Sequence, residues 1–311
     1  MSEIILHHYP ESPFSEKVRL LLAYKQQPFD AVTIPIIMPK PDLMSLTGGY
    51  RKTPVMQIGA DIYCDTALIC RVIDRLFPAK SIYPEGSQAT ITAAAHWTDT
   101  LFFRVCVAVA FQPKALANNT LFQDQEAAAA FMADRAQLSE GSTQLNMDFD
   151  TAHPYFHAHL KRMDNQLEAA KFLYGDEPVI VDFSTYHCCW FIHGNEAIRD
   201  TFSPYKRVME WYGRMSAFGD NGLTQIEGSK AIEIARNAEP ISERKAATSE
   251  IDGLQVGDEV EVMPIDYGFQ PVKGRLQLSS LEELVLIRED EQAGNVAVHF
   301  PRLGFQIKKL N

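Results

Sequence analysis

No apolar stretch in the sequence is long enough to cross a bilayer, which argues against a helical membrane protein. Positive charge is scarce. Lys and Arg number 29 against 40 Asp and Glu, a formal net charge of −11. That balance disfavours nonspecific binding to nucleic acid or to an acidic membrane. Cysteines are few and scattered: Cys64, Cys70, Cys106, Cys188 and Cys189 form no C-x-x-C and no framework spacing. Such a set points to reduced thiols in a reducing compartment. The first residues lack a basic region followed by an apolar run, so no signal peptide is expected. Internal repeats, low-complexity tracts and long charge blocks are missing too. His153 and His157 stand four apart near His159, and His193 follows His187-Cys188-Cys189, but no Glu follows the first His as a metalloprotease pattern needs. The expectation is a cytoplasmic protein with no metal, no membrane attachment and no nucleic-acid partner.

What is present divides into three parts. The 311 residues suffice for about two domains at ~150 residues each. Residues 3–8 read as a strand, 13–26 as a helix with Phe14, Val18, Leu21 and Leu22 on its stripe, and 29–34 as a second strand. A proline-rich loop, a short helix near 42–46, a hairpin over 53–63 and a helix opened by Asp65 complete an α/β domain at 1–80. Alanine-rich and aromatic helical patterns fill 85–237, with separate helices expected over 93–110, 126–138, 154–172, 181–193 and 204–218. A charged linker is read at 238–250. Residues 251–311 switch to period two in five short runs broken by glycines, the pattern of a small SH3-like β-barrel. The fold class is α+β and multidomain.

The first corner, Ser12-Pro13, places a hydroxyl where a strand hands over to a helix. Ser caps such an end and Pro fits its first position. A helix N-terminus also favours an anion, such as a thiolate. A cap alone and an anion site are both compatible with the two residues.

The run Ser12-Pro13-Phe14-Ser15-x-x-Val18-Arg19, the turn Thr53-Pro54-Val55 and the pair Asp65-Thr66 together resemble the cytosolic glutathione S-transferase family, of the serine type. Lys171-Phe172-Leu173-Tyr174-Gly175-Asp176, Asp182-Phe183 and the segment from Pro204 to Met215 resemble its helical half. One departure is plain: Val179 stands where the family has the Ser or Thr of a capping box closed by Asp182. The tail beyond 238 is not part of the usual chain. The resemblance implies a thioredoxin-like first domain, an all-α second domain, glutathione as cosubstrate, a homodimer and a detoxification role.

It also assigns residues. Ser12 would hold the glutathione thiol as thiolate, with Tyr9 as its rival. A free thiol ionises near ~8.5, and each unit of depression needs about 1.4 kcal/mol. Pro54, in a cis bond, would expose the Val55 backbone to the cysteinyl part. Asp65 and Thr66 would take the γ-glutamyl amino and carboxylate groups, and Lys52, ahead of Arg51, the glycyl carboxylate. Phe14, Trp97, Phe103 and Arg104 are candidates for a pocket that holds a small hydrophobic electrophile. Thiol–disulfide exchange is disfavoured because neither Ser12 nor Ser15 carries sulfur. A non-catalytic binding protein that uses its β tail for a partner is the alternative from another class.

Overall fold

The computed structural model describes residues 3–310 except 117–123, 145, 220–221 and 241–252. Most of the linker read at 238–250 therefore lies outside the described residues.

Alternation along the first strand decides what lies on each side of the sheet. In β1 (Ile4–His8), Ile4 and Leu6 enter one core and Ile5 the other. Ser12, in extended conformation, then caps α1 (Pro13–Tyr24), its Oγ accepting from the Ser15 N–H at 3.2 Å. β2 (Phe29–Thr33) returns parallel to β1, with Leu6 opposite Ala31. α2 (Pro41–Thr47) ends at Gly48, whose φ of 74° is a left-handed cap. β3 (Val55–Ile58) and β4 (Asp61–Cys64) form a tight antiparallel hairpin, and α3 (Thr66–Leu76) follows. The strand order β2-β1-β3-β4 makes the expected thioredoxin-like unit.

The helical region follows as α4 (Gln88–Trp97), α5 (Phe103–Ala110), α6 (Pro113–Leu116), α7 (Gln125–Leu138), α8 (Phe149–Gln166), α9 (Ile180–His193) and α10 (Lys206–Ser216). α9 is apolar nearly all round, and it packs against α1, α4, α5 and α10 at the centre of this region. Asp182 sits in its first turn. It accepts from the Val179 N–H at 3.0 Å, the Leu173 N–H at 2.9 Å and the Trp211 indole at 2.8 Å. Only the reciprocal half of the capping box is missing, because Val179 has no side-chain acceptor.

Two helices differ from the sequence reading. The single helix expected over 93–110 is interrupted by a π-helical turn at Thr98–Phe102, which no periodicity marks. The helix expected from Pro154 starts at Phe149 instead, and ends at Gln166 rather than 172. Asp148 caps it by accepting from the Thr151 N–H at 2.8 Å, and this start outweighs the one backbone bond that Pro154 removes.

Residues read as the end of the helical domain return to the sheet. β5 (Leu223–Gln225) pairs parallel with β2, and α11 (Gly228–Arg236) packs on α2 with Ala231, Ile232 and Ala235 in the second core. Helix does reach residue 236, but β5 interrupts the helical run read over 85–237 and α11 packs on α2. The amphipathic face of α11 covers apolar sheet surface that the bundle does not reach.

The tail has the five strands its alternation predicts: β6 (Glu259–Pro264), β7 (Val272–Ser279), β8 (Glu283–Asp290), β9 (Gly294–Pro301) and β10 (Phe305–Lys309). It does not stand apart. β9 pairs parallel with β4, so one ladder runs β10-β6-β7-β8-β9-β4-β3-β1-β2-β5. An edge strand presents unpaired backbone groups, and the tail covers the β4 edge. The junction is fastened by a buried His299, whose ring nitrogens lie 2.7 Å from Glu283 and 2.8 Å from Asp61.

Candidate functional site

A cavity of about 840 Å³ lies between the thioredoxin-like sheet and the helical bundle. The corner after β1, the Thr53–Pro54 turn and the start of α3 form one wall. α4, α5 and α7 form the second, and the loop after β6 closes the third.

Eight residues singled out in the sequence meet there: Tyr9, Phe14, Lys52, Pro54, Asp65, Thr66, Phe103 and Arg104. Four do not line it: Ser12, Arg51, Val55 and Trp97. Ser12 is 2% exposed and does not reach the cavity surface. Val55 heads β3 with its side chain in the second core. Trp97 turns away and stacks on Phe102 at 5.7 Å. The cavity face of this helical run carries Ala95, His96, Asp99, Thr100, Phe103 and Arg104, and Trp97 falls outside it.

At the corner, burial raises the Tyr9 pKa and outweighs Ser12, which lowers it, so the phenol stays protonated near neutrality and can donate. The peptide bond before Pro54 is cis. Asp65 has a φ of 73° and caps α3 by accepting from the Ala67 N–H at 2.8 Å. Burial raises its pKa as well. Thr66 opens the helix, so its N–H belongs to the end that favours an anion.

The cations are not free. Lys52 pairs with Asp266 of the tail at 2.7 Å, and its ammonium lies 3.7 Å from the Tyr267 ring centre. Arg51 is buried against Asp134 at 2.5 Å. Lys40 donates to the Thr53 hydroxyl at 3.2 Å, and burial lowers its pKa to about 8.

Sequence reasoning missed a charged cluster at the base of the cavity. Lys17, on the inner face of α1, is fully buried and pairs with Asp99 at 2.6 Å. Asp99, held in the π-helical turn, also meets His187 Nε2 at 3.0 Å and accepts from Ser184 Oγ at 3.2 Å. Phe14 packs on the His187 ring at 4.7 Å and on Phe103 at 4.6 Å. One signal was available: Lys17 precedes Val18 and lies four residues from Leu21, within the apolar stripe.

The cluster makes stability depend on pH. Burial opposes ionisation of Asp99, but Lys17 and His187 overcome it and hold the pKa near about 2. Burial also opposes a charged His187, but Cys188 and Asp99 outweigh it and raise the pKa to about 8. The Asp99 contribution is present above the ordinary value of 3.8 and is lost only as pH falls toward about 2. The His187 contribution is complete below 6.5 and is lost as pH rises through about 8. Across the full titration, from about pH 5.5 to about 9, the wild type should lose about 2 kcal/mol that a His187→Gln variant does not lose. Chemical denaturation of both proteins across this range checks it, and parallel pH profiles would contradict it.

The five cysteines are buried and free. Burial pushes their thiols up, Cys70 to about 12, so they are poor nucleophiles. His153 and His157 approach at 3.1 Å through Nε2, and His157 Nδ1 meets the Tyr205 hydroxyl at 2.7 Å. Among the described residues no group of three or more His, Cys, Asp or Glu gathers to hold a metal, and no helix is long and apolar enough to cross a membrane.

Comparison with known proteins agrees with this architecture. Residues 6–81 match the model of the glutathione S-transferase N-terminal domain. A GST-like protein from Pseudomonas syringae is 38% identical, covers all of both chains and superposes with a TM-score of 0.84. The chain belongs to the glutathione S-transferase family, in a form that carries the β tail. A glutathione S-transferase from Rhodospirillum rubrum F11 shares the fold at 17% identity and a TM-score of 0.52, covering 69% of this chain and 88% of its own. A glutathione S-transferase-I bound with lactoylglutathione does so at 12% identity and a TM-score of 0.51, covering 69% of this chain and 94% of its own. A search of curated proteins found no match.

Proposed function

We propose that the protein is a glutathione transferase that activates the glutathione thiol for attack on a small hydrophobic electrophile. The observation that carries this is the convergence of Tyr9, Pro54, Asp65, Thr66 and Phe103 on one cavity. The γ-glutamyl end belongs at α3. There Asp65 meets the amino group, and the Thr66 N–H and hydroxyl meet the carboxylate. The cysteinyl backbone runs along Val55 past the cis bond. The thiol then reaches the N-terminal end of α1, where Tyr9 donates to it and Ser12 orients Tyr9. The glycyl carboxylate meets Lys52, in competition with Asp266, with Lys40 nearby as a second cation.

In the reaction the thiol proton leaves to solvent. The sulfur–carbon bond forms while the leaving group departs with its electron pair. Phe14 and Phe103 hold the apolar body of the electrophile. The proposal includes a homodimer, a cytoplasmic location and a role in detoxification, as the family implies. Thiol–disulfide exchange finds no support, because a hydroxyl stands at the corner and the five thiols are buried. The test is whether glutathione binds and whether its thiol ionises more readily when bound.

A further inference from the structure

We propose that the second substrate of this cavity carries a carboxylate on its apolar body, and that Arg104 is the residue that selects it. This deepens the two-substrate reading above and rests on it.

Among the described residues, five Lys and Arg side chains line the cavity: Lys17, Lys52, Arg71, Arg104 and Arg135. Four of them lie within 4.0 Å of a carboxylate: Asp99 for Lys17, Asp266 for Lys52, Glu282 for Arg71 and Asp134 for Arg135. Arg104 has no carboxylate partner among the described residues. Its Nε donates to the neutral Gln144 side chain, and its guanidinium carbon lies 5.1 Å from the Tyr267 ring centre. A guanidinium has five N–H donors in a rigid fork. The two terminal nitrogens of Arg104 have no acceptor among the described residues, and the residue is half-buried in the cavity wall.

The surroundings fix its orientation without cancelling its charge. Gln144 Nε2 donates to Asp266 at 3.1 Å, and Asp266 is already neutralised by Lys52. Gln144 is therefore a neutral spacer between a satisfied ion pair and an unsatisfied cation. Tyr267 of the tail stacks beside both Lys52 and Arg104, so the tail holds this side chain in place. Arg104 follows Phe103 on α5, and Phe111, Phe131 and Phe191 line the same chamber. One uncompensated fork beside aromatic walls fits a singly charged, planar anion joined to an apolar body. A neutral electrophile would leave the fork unmatched.

The test compares para-nitrobenzoate with nitrobenzene, which differ by the carboxylate, by calorimetric titration of the full chain. The benzoate should bind about tenfold more tightly, Arg104→Gln should abolish that preference, and Arg104→Lys should keep part of it. Equal binding of the two probes to the wild type, or a preference that survives Arg104→Gln, would overturn the proposal. Should Arg104→Gln fail to fold, the wild-type comparison and Arg104→Lys decide it. Glutathione is titrated separately into the wild type. Failure of glutathione to bind beside an intact benzoate preference overturns the thiol reading alone. Glutathione binding with no benzoate preference overturns this one alone.

Discussion

Tyr9→Phe should lower kcat/KM for glutathione conjugation by about a hundredfold, while Ser12→Ala should cost roughly tenfold. Tyr9 lines the cavity, whereas Ser12 is buried and does not reach it. Ser12 already accepts from the Ser15 N–H, and the buried Tyr9 phenol stays protonated, which leaves its proton for a ligand. Removing a donor aimed at a developing or resident anion typically costs about 10²–10³ in rate. Removing Ser12 loses orientation, along with about 1 kcal/mol of helix cap. Steady-state kinetics with a chlorinated aromatic, alongside thermal unfolding, separates the two effects. A larger loss for Ser12→Ala than for Tyr9→Phe, at unchanged stability, would move the donor to Ser12.

Asp99→Leu should destabilise the fold by about 3–5 kcal/mol, because it leaves a buried ammonium without its partner. Lys17 is fully buried on α1, and its ion pair joins the thioredoxin-like unit to the helical region. The same substitution strips His187 and Ser184 of their acceptor. Adding Lys17→Met should restore much of the loss, since two apolar side chains in place of a buried pair are often tolerated. Urea denaturation of the wild type, the single variant and the double variant measures this. A loss below about 1 kcal/mol for Asp99→Leu would show that water, rather than burial, sets the energetics of the cluster.

Much of the first domain is legible because its signals are local. Ser12-Pro13 announces a helix start, Ile4-Ile5-Leu6 a strand, and Asp65 a cap, and each decides its element within a few residues. The cavity wall built from these elements is legible for the same reason. What the sequence hides is distance and phase. Asp266 meets Lys52 across 214 positions, and nothing local in either segment marks the other. Trp97 and Phe103 look alike as aromatics in a helical run, yet only Phe103 falls on the cavity face across the π-helical turn. The period-two pattern of the tail identifies its strands. It does not say that β9 continues the ladder of β4, because edge pairing depends on which partner edge is left open. Lys17 is the intermediate case: a charge on an apolar stripe was visible, but its partner on another helix was not.

The cavity should bind glutathione and ease ionisation of its thiol. Ultraviolet thiolate absorbance of glutathione bound to the full chain, followed as pH is raised, measures it most directly. The bound thiol should titrate at least one unit below the ~8.5 of a free thiol, and Tyr9→Phe should move it back up. A bound thiol that titrates at the free value, or the absence of saturable binding, would contradict it.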